Sequence, residues 1–176
     1  MIDPRTTFCI CDFETTGVDT VKDYPIEVGC VFTDSNFVVK GVYQHLILWD
    51  ALASQAGGWR PEHSKAAAIH GIKVEDIQLR GRKDADIAPS IFKLVEEYSN
   101  PTKSMVLLSD NIQFEWAFMK RIMAAMQWPF HYCGWDSSLL LEMSGVGDPV
   151  PVHRALPDAC LLQQALVRAL ERISNR

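Results

Sequence analysis

Asp12-Phe13-Glu14 is the first place along the chain where side chains could do chemistry. Two acids that flank one residue of a strand point to the same side. The mostly apolar stretch from Thr7 leads into them, which places them at the end of a buried strand. Two carboxylates there repel each other and resist losing water. A hard divalent cation such as Mg²⁺ or Mn²⁺ prefers oxygen ligands and removes that cost. On its own the pair fits a solvated strand end at least as well. Thr15-Thr16-Gly17 follows, and a glycine after two hydroxyl residues makes a tight turn whose backbone donors suit a nucleotide end.

Two further stretches carry the same kind of chemistry. His153 lies five residues before Asp158, where the sequence HRALPDA opens a helix. Histidine is the residue type that exchanges protons near neutrality, so a loop histidine beside a helix-held acid suits a general base next to a metal ligand. Taken singly, Asp158 also fits an acid drawn to a helix N-terminus, and His153 a solvated loop residue. In Ser109-Asp110-Asn111-Ile112-Gln113-Phe114-Glu115 a strand runs into a helix, with Glu115 in its first turns beside the apolar row of Phe114 and Phe118. A surface glutamate near the helix start is the plain alternative.

Together DFETTG, SDNIQFEWAF and HRALPDA, in that order and spacing, resemble the three exonuclease motifs of the DnaQ-like, or DEDDh, family. Ile69-His70-Gly71-Ile72 is similar to a segment often found between the first two. The resemblance spans Phe8 to about Val167, and the joint match is highly specific. It implies an α/β, ribonuclease H-like fold with the active site at the first strand. It implies Asp12, Glu14, Glu115 and Asp158 as ligands of two divalent cations, Mg²⁺ or Mn²⁺, with Glu14 also near the attacking water and His153 as general base. Thr15, Thr16, His70 and Asn111 would lie near the terminal nucleotide.

The expected activity is 3'-to-5' exonuclease action on single-stranded 3' ends, DNA first, releasing nucleoside 5'-monophosphates. RNA stays open, because no motif reports on the 2'-hydroxyl. So do a polymerase partner and a homodimer. One departure matters: the family usually has Asp where this chain has Glu115. Glu115 reaches the metals after adjustment, or Asp110 helps instead, or activity is low and Mn²⁺-dependent. The rival readings are a weakened nuclease fold that binds nucleic-acid ends or a polymerase, and an oligoribonuclease-like phosphodiesterase for small oligonucleotides.

Positioning these residues needs a sheet. Thr7 to Phe13 reads as a buried strand. Ile26 to Thr33 and Phe37 to Trp49 read as a hairpin around Asp34-Ser35-Asn36. Met105 to Leu108 and Phe130 to Trp135 supply two more strands, for a mixed five-stranded sheet in all. The three N-terminal strands run antiparallel and the later ones parallel. Apolar spacing predicts helices over Ile87 to Tyr98, Phe114 to Met126 and Ala155 to Ile173, packed on both faces, with a short one starting at Val74. Pro89 and Pro157 fit only near helix starts. Trp49 to Ser64, with Gly57-Gly58, Trp59 and Pro61, reads as a loop in which Trp59 could stack on a base.

Bulk properties agree. The 176 residues suit one domain spanning 1–176, and 48% hydrophobic with 22% charged residues is ordinary for a globular protein. The formal net charge of −5 argues against a tight binder of long nucleic acid, though bound metal ions can bring local positive charge. No apolar run is long enough for a membrane span and the N-terminus has no leader pattern, so a cytoplasmic protein is expected, with no membrane partner. The cysteines Cys9, Cys11, Cys30, Cys133 and Cys160 form no CxxC pair and are expected as buried free thiols.

Overall fold

A computed structural model describes residues 2–49 and 65–175. The expected Trp59 loop lies outside the described residues. The elements run β1 (Phe8–Thr15), β2 (Pro25–Thr33), β3 (Val39–Leu48), α1 (Lys65–His70), α2 (Val74–Arg80), β4 (Arg82–Lys83) and α3 (Asp84–Tyr98). There follow β5 (Val106–Ser109), α4 (Ile112–Ile122) with a 3-10 turn (Met123–Ala125), β6 (Trp135–Asp136), α5 (Ser138–Ser144) and α6 (Ala155–Ser174).

The sheet has six strands in the order β4-β3-β2-β1-β5-β6, not five. β1, β2 and β3 are antiparallel neighbours, while β5 joins β1 in parallel and β6 joins β5 in parallel. The extra strand β4 is two residues long and polar, so no alternation could announce it. The expected strand from Phe130 to Trp135 shrinks to Trp135–Asp136, with one bridge from Met105 to Phe130. β1 runs past Phe13 to Thr15, so its acids belong to the strand and not to the loop after it.

The alternation of β1 builds both layers. Cys9, Cys11 and Phe13 face one core with Ile87, Ile91 and Val95 of α3 and Phe118 and Ile122 of α4. Phe8 and Ile10 face the other, with Leu141 of α5 and Ala159, Leu162 and Leu166 of α6. Burying each such large apolar side chain contributes about 1.5–3 kcal/mol. Helices thus cover both faces, as expected. Pro89 sits inside α3, past its first turn, where the helix forgoes one backbone bond. Pro157 is in the first turn of α6, where no bond is lost. Cys9, Cys11 and Cys30 are buried and free, but Cys133 is exposed and Cys160 half-buried. Among the described residues no helix is long and apolar enough to cross a membrane.

Candidate active site

Asp12 and Glu14 continue the even-numbered face of β1, which Phe8 and Ile10 begin and α6 covers. α6 carries Asp158 in its first turn, so three acids from the two ends of the chain meet on one face. One oxygen each of Glu14 and Asp158 and one ring nitrogen of His153 lie within 4.8 Å of one another. It is the one such grouping of potential metal ligands among the described residues.

The electrostatics follow from burial and crowding. Asp12 is held well above the usual carboxylate range, first by burial, then by Glu115, Glu14, Asp158 and Asp110. Glu14 is raised to about 7 by burial and by the charges of Asp158 and Glu27, against the opposing pull of Arg154. Glu115 is raised to about 8, chiefly by burial, although a hydrogen bond from Ser109 pulls the other way. Its Oε2 accepts that bond at 2.8 Å, and the side chain is only 3% exposed. The longer acid therefore does turn inward. Ser109 ends β5 directly beside the Cys11 level of β1, since Ile10 pairs with Leu108. Asp110 follows it. Asp12, Asp110 and Asp158 line a cavity of about 20 Å³, room for one water-sized particle.

His153 stands in the left-handed backbone region, at φ 59°. Only it and Phe37 do so among the described non-glycine residues, and such strain gathers at functional sites. The backbone N–H groups on either side, of Val152 and Arg154, donate to the two carboxylate oxygens of Asp158 at 2.7 and 3.2 Å. Thr15 and Thr16 use their hydroxyls inside the turn that follows β1. Thr15 Oγ1 donates to the Gly17 carbonyl at 2.6 Å, and Thr16 Oγ1 to Asp23 at 3.0 Å. A Cβ on Gly17 would press on the Asp23 carboxyl and displace it from Thr16 Oγ1 and the Asp19 N–H. His70 is buried, accepts the Ile72 N–H on Nδ1 at 3.0 Å, and feels Thr15, Glu27, Arg154 and His153. Asn111 precedes α4 on the surface, its N–H held by Ser109 Oγ at 3.0 Å.

Known proteins resemble this chain in sequence and in fold. No family model matches the chain. It is 26% identical over 165 residues to the oligoribonuclease of Corynebacterium glutamicum, covering 92% of this chain and 73% of that one. The oligoribonuclease of Acinetobacter baylyi is 25% identical over 136 residues, covering 76% of this chain and 71% of that one. The PolC-type DNA polymerase III of Thermotoga maritima is 26% identical over 186 residues, covering 96% of this chain but 12% of that one. Among solved structures, the zinc-ion-bound complex of E. coli exonuclease I with single-stranded DNA superposes with a TM-score of 0.70 at 20% identity, covering 96% of this chain. The chain spans 41% of that exonuclease I chain. In sequence the chain is similar to oligoribonucleases and to a PolC-type polymerase, and in fold to exonuclease I. Its sheet and helices have the ribonuclease H-like fold that the resemblance implied.

Two residues beside the site carry no role in the sequence motifs. Glu27 is 1% exposed on β2, and Ser109 holds Glu115. A signal for Glu27 existed: a lone acid in Pro25-Ile26-Glu27-Val28 must be paired if the strand is buried. Ser109 has no such signal, because a serine at a strand end is unremarkable.

Proposed function

We propose that this chain is a metal-dependent 3'-to-5' exonuclease that releases nucleoside 5'-monophosphates from single-stranded nucleic-acid ends, DNA first. The observation that carries the reading is the meeting of Glu14, His153 and Asp158 within 4.8 Å, beside a crowded Asp12. The residues fit hard divalent ions. They offer carboxylate oxygens from β1, α4 and α6, and burial and mutual repulsion hold Asp12, Glu14 and Glu115 above their ordinary pKa.

Asp12, Glu14, Glu115 and Asp158 would hold two such ions, Mg²⁺ or Mn²⁺. Bound there, the ions neutralise charge at the scissile phosphate and make water a better nucleophile. The protein's own part is positional. His153, at the rim, accepts the proton of the attacking water on an imidazole nitrogen. Its two flanking amides fix it against Asp158. The turn after β1 offers backbone donors to the terminal nucleotide, its hydroxyls being spent on shaping the turn. His70 borders the same turn through Thr15.

The test is incubation of 5'-labelled single-stranded DNA and RNA oligomers with Mg²⁺ or Mn²⁺, resolved to single nucleotides. A ladder shortening from the 3' end is expected. His153→Ala should slow it by about 10²–10⁴-fold, the usual worth of a positioned acid–base group. No release with either metal, shortening from the 5' end, or an unimpaired His153→Ala would each overturn the reading. A second reading, action on short RNA oligomers, draws on the oligoribonuclease likeness and its coverage of 73% of that relative. Comparing dinucleotides with longer oligomers in the same assay separates the two. The PolC-type likeness supports a polymerase setting for the same activity.

A further inference from the structure

Buried Glu27 and the half-exposed side chain of Arg154 form an ion pair at the loop that carries His153. Arg154 Nε donates to Glu27 Oε2 at 2.9 Å, and Nη2 to Oε1 at 2.6 Å. This is the two-pronged geometry in which an arginine fixes a carboxylate in direction as well as distance. The Ala155 N–H donates to Oε2 at 3.1 Å and Gln44 Nε2 to Oε1 at 2.9 Å. Each Glu27 oxygen therefore accepts two bonds, which is what a buried carboxylate requires.

The same loop is tied on its other side. The N–H groups of Val152 and Arg154 are held by Asp158, and that of Ala155 by Glu27. His153 sits between these anchors with φ 59°. A non-glycine residue keeps that backbone shape only where its surroundings enforce it. The start of α6 also rests directly on β2. A Cβ on Gly29 would come within 2.2 Å of the Leu156 nitrogen and 2.3 Å of the Ala155 carbonyl carbon. Glu27 and Gly29 lie two apart on one strand face, so β2 grips the helix start by a charge clamp and by close backbone contact.

We propose that Glu27 and Arg154 are positioning residues for His153: the clamp holds residues 152–155 so that the imidazole stays against Glu14 and Asp158. A clamp that merely fastened α6 to the sheet would displace Asp158 and His153 together. A clamp that positions the imidazole acts chiefly through His153, and Arg154→Lys, which keeps the positive charge that acts on Glu14, separates that charge from the positioning.

This rests on the proposed role of His153 as proton acceptor, and the experiment keeps the two apart. Arg154→Ala, Arg154→Lys and Glu27→Gln are made with and without His153→Ala in the full chain. For each, kcat and KM are measured on labelled single-stranded DNA with Mn²⁺. The chelated proteins are compared by thermal melting and by NMR of the backbone amides and the His153 ring. Arg154→Ala should lower kcat by about 10–100-fold, the usual effect of losing a partner that orients a site residue. KM should move less than about threefold, because substrate contacts are untouched. In the His153→Ala background the further loss should be under about threefold, since the residue acted upon is already gone. Lysine keeps the charge but cannot engage both carboxylate oxygens at once, so Arg154→Lys should fall between.

The amides of 152–155 and the ring signals should shift in every clamp variant while the rest of the spectrum holds. Losses that multiply in the double variants, or an unchanged kcat in Arg154→Ala, overturn the proposal. If Arg154→Ala does not fold, Arg154→Lys and Glu27→Gln decide by the same cycle. If the natural chain releases no nucleotide, the exonuclease reading fails, and the NMR comparison alone decides: moved His153 ring signals support the clamp, and unmoved ones sink it.

Discussion

Glu14 and Glu27 face each other across the β1–β2 ladder, one glutamate in each strand. Both are buried, at 9% and 1% exposure. Yet burial and neighbouring acids push Glu14 up to about 7. Glu27 is also penalised by burial, but Arg154, the Ala155 N–H and Gln44 outweigh that and hold it below the usual glutamate range. One carboxylate has its cation built into the chain. The other shares its space with Asp12 and Asp158, and no lysine or arginine is hydrogen-bonded to Asp12, Glu14 or Glu115 among the described residues. The contrast separates a structural charge from a functional one: the fold satisfies the first and leaves the second to a ligand.

The largest test of this contrast is Asp12→Asn. It removes a carboxylate from the crowded group and a ligand from the proposed metal site. Turnover should fall on the order of 10³-fold or more, as loss of several kcal/mol of charge stabilisation implies. The chelated protein should meanwhile melt higher at pH 8, because the repulsion on Glu14 and Glu115 is relieved. An inactive variant that melts lower would mean that Asp12 is a structural acid like Glu27.

A pH series sharpens the same comparison in the unmutated protein. Glu14 and Glu115 have folded pKa values near 7 and 8, above the 4.5 of an unperturbed glutamate. Between those limits the folded chain binds more protons than the unfolded one, so stability falls as pH rises. Glu27 runs the other way. Its stabilising pair is complete above about pH 4.5 and is lost as pH falls through its lowered folded value. The chelated protein should therefore be most stable near pH 5 and lose on the order of a few kcal/mol by pH 8, because each tenfold difference in proton affinity between the folded and unfolded chains is worth about 1.4 kcal/mol. Denaturant melts at each pH measure it. Adding Mn²⁺ should raise stability more at pH 8 than at pH 6, because protons compete with the ion. A flat profile, or equal gains at both values, would remove the difference between the two regions.

How much of this was legible in the sequence depends on how local the cause is. The face shared by Asp12 and Glu14 follows from period two, and Asp158 at a helix start follows from the apolar spacing behind it. Their meeting could not be seen in either stretch alone; the order and spacing of three motifs implied it. β4 and the shortened β6 were illegible or misplaced because two-residue strands carry no periodicity. Glu27 gives no local sign of its role, because its partner Arg154 lies 127 residues away. The strain at His153 is likewise set by partners on β2 and α6, and nothing in the residues beside it announces a left-handed backbone.

The smallest expected effect belongs to Glu115→Asp. The charge of Glu115 acts on Asp12 more strongly than that of any other acid, so its carboxylate already lies toward the site despite the extra methylene. Ser109 Oγ draws it there at 2.8 Å while also accepting the Asn111 N–H. Shortening the side chain moves the carboxylate back by about one bond length and stretches that bond, a change Mg²⁺ with its strict geometry feels more than Mn²⁺. Activity should stay equal or rise a few-fold, with the ratio of Mg²⁺-supported to Mn²⁺-supported rates as the more sensitive readout. A large loss with both metals would mean that the position of Ser109 is matched to glutamate. In that case Ser109→Ala should reproduce the loss in the unmutated background and add little to Glu115→Asp.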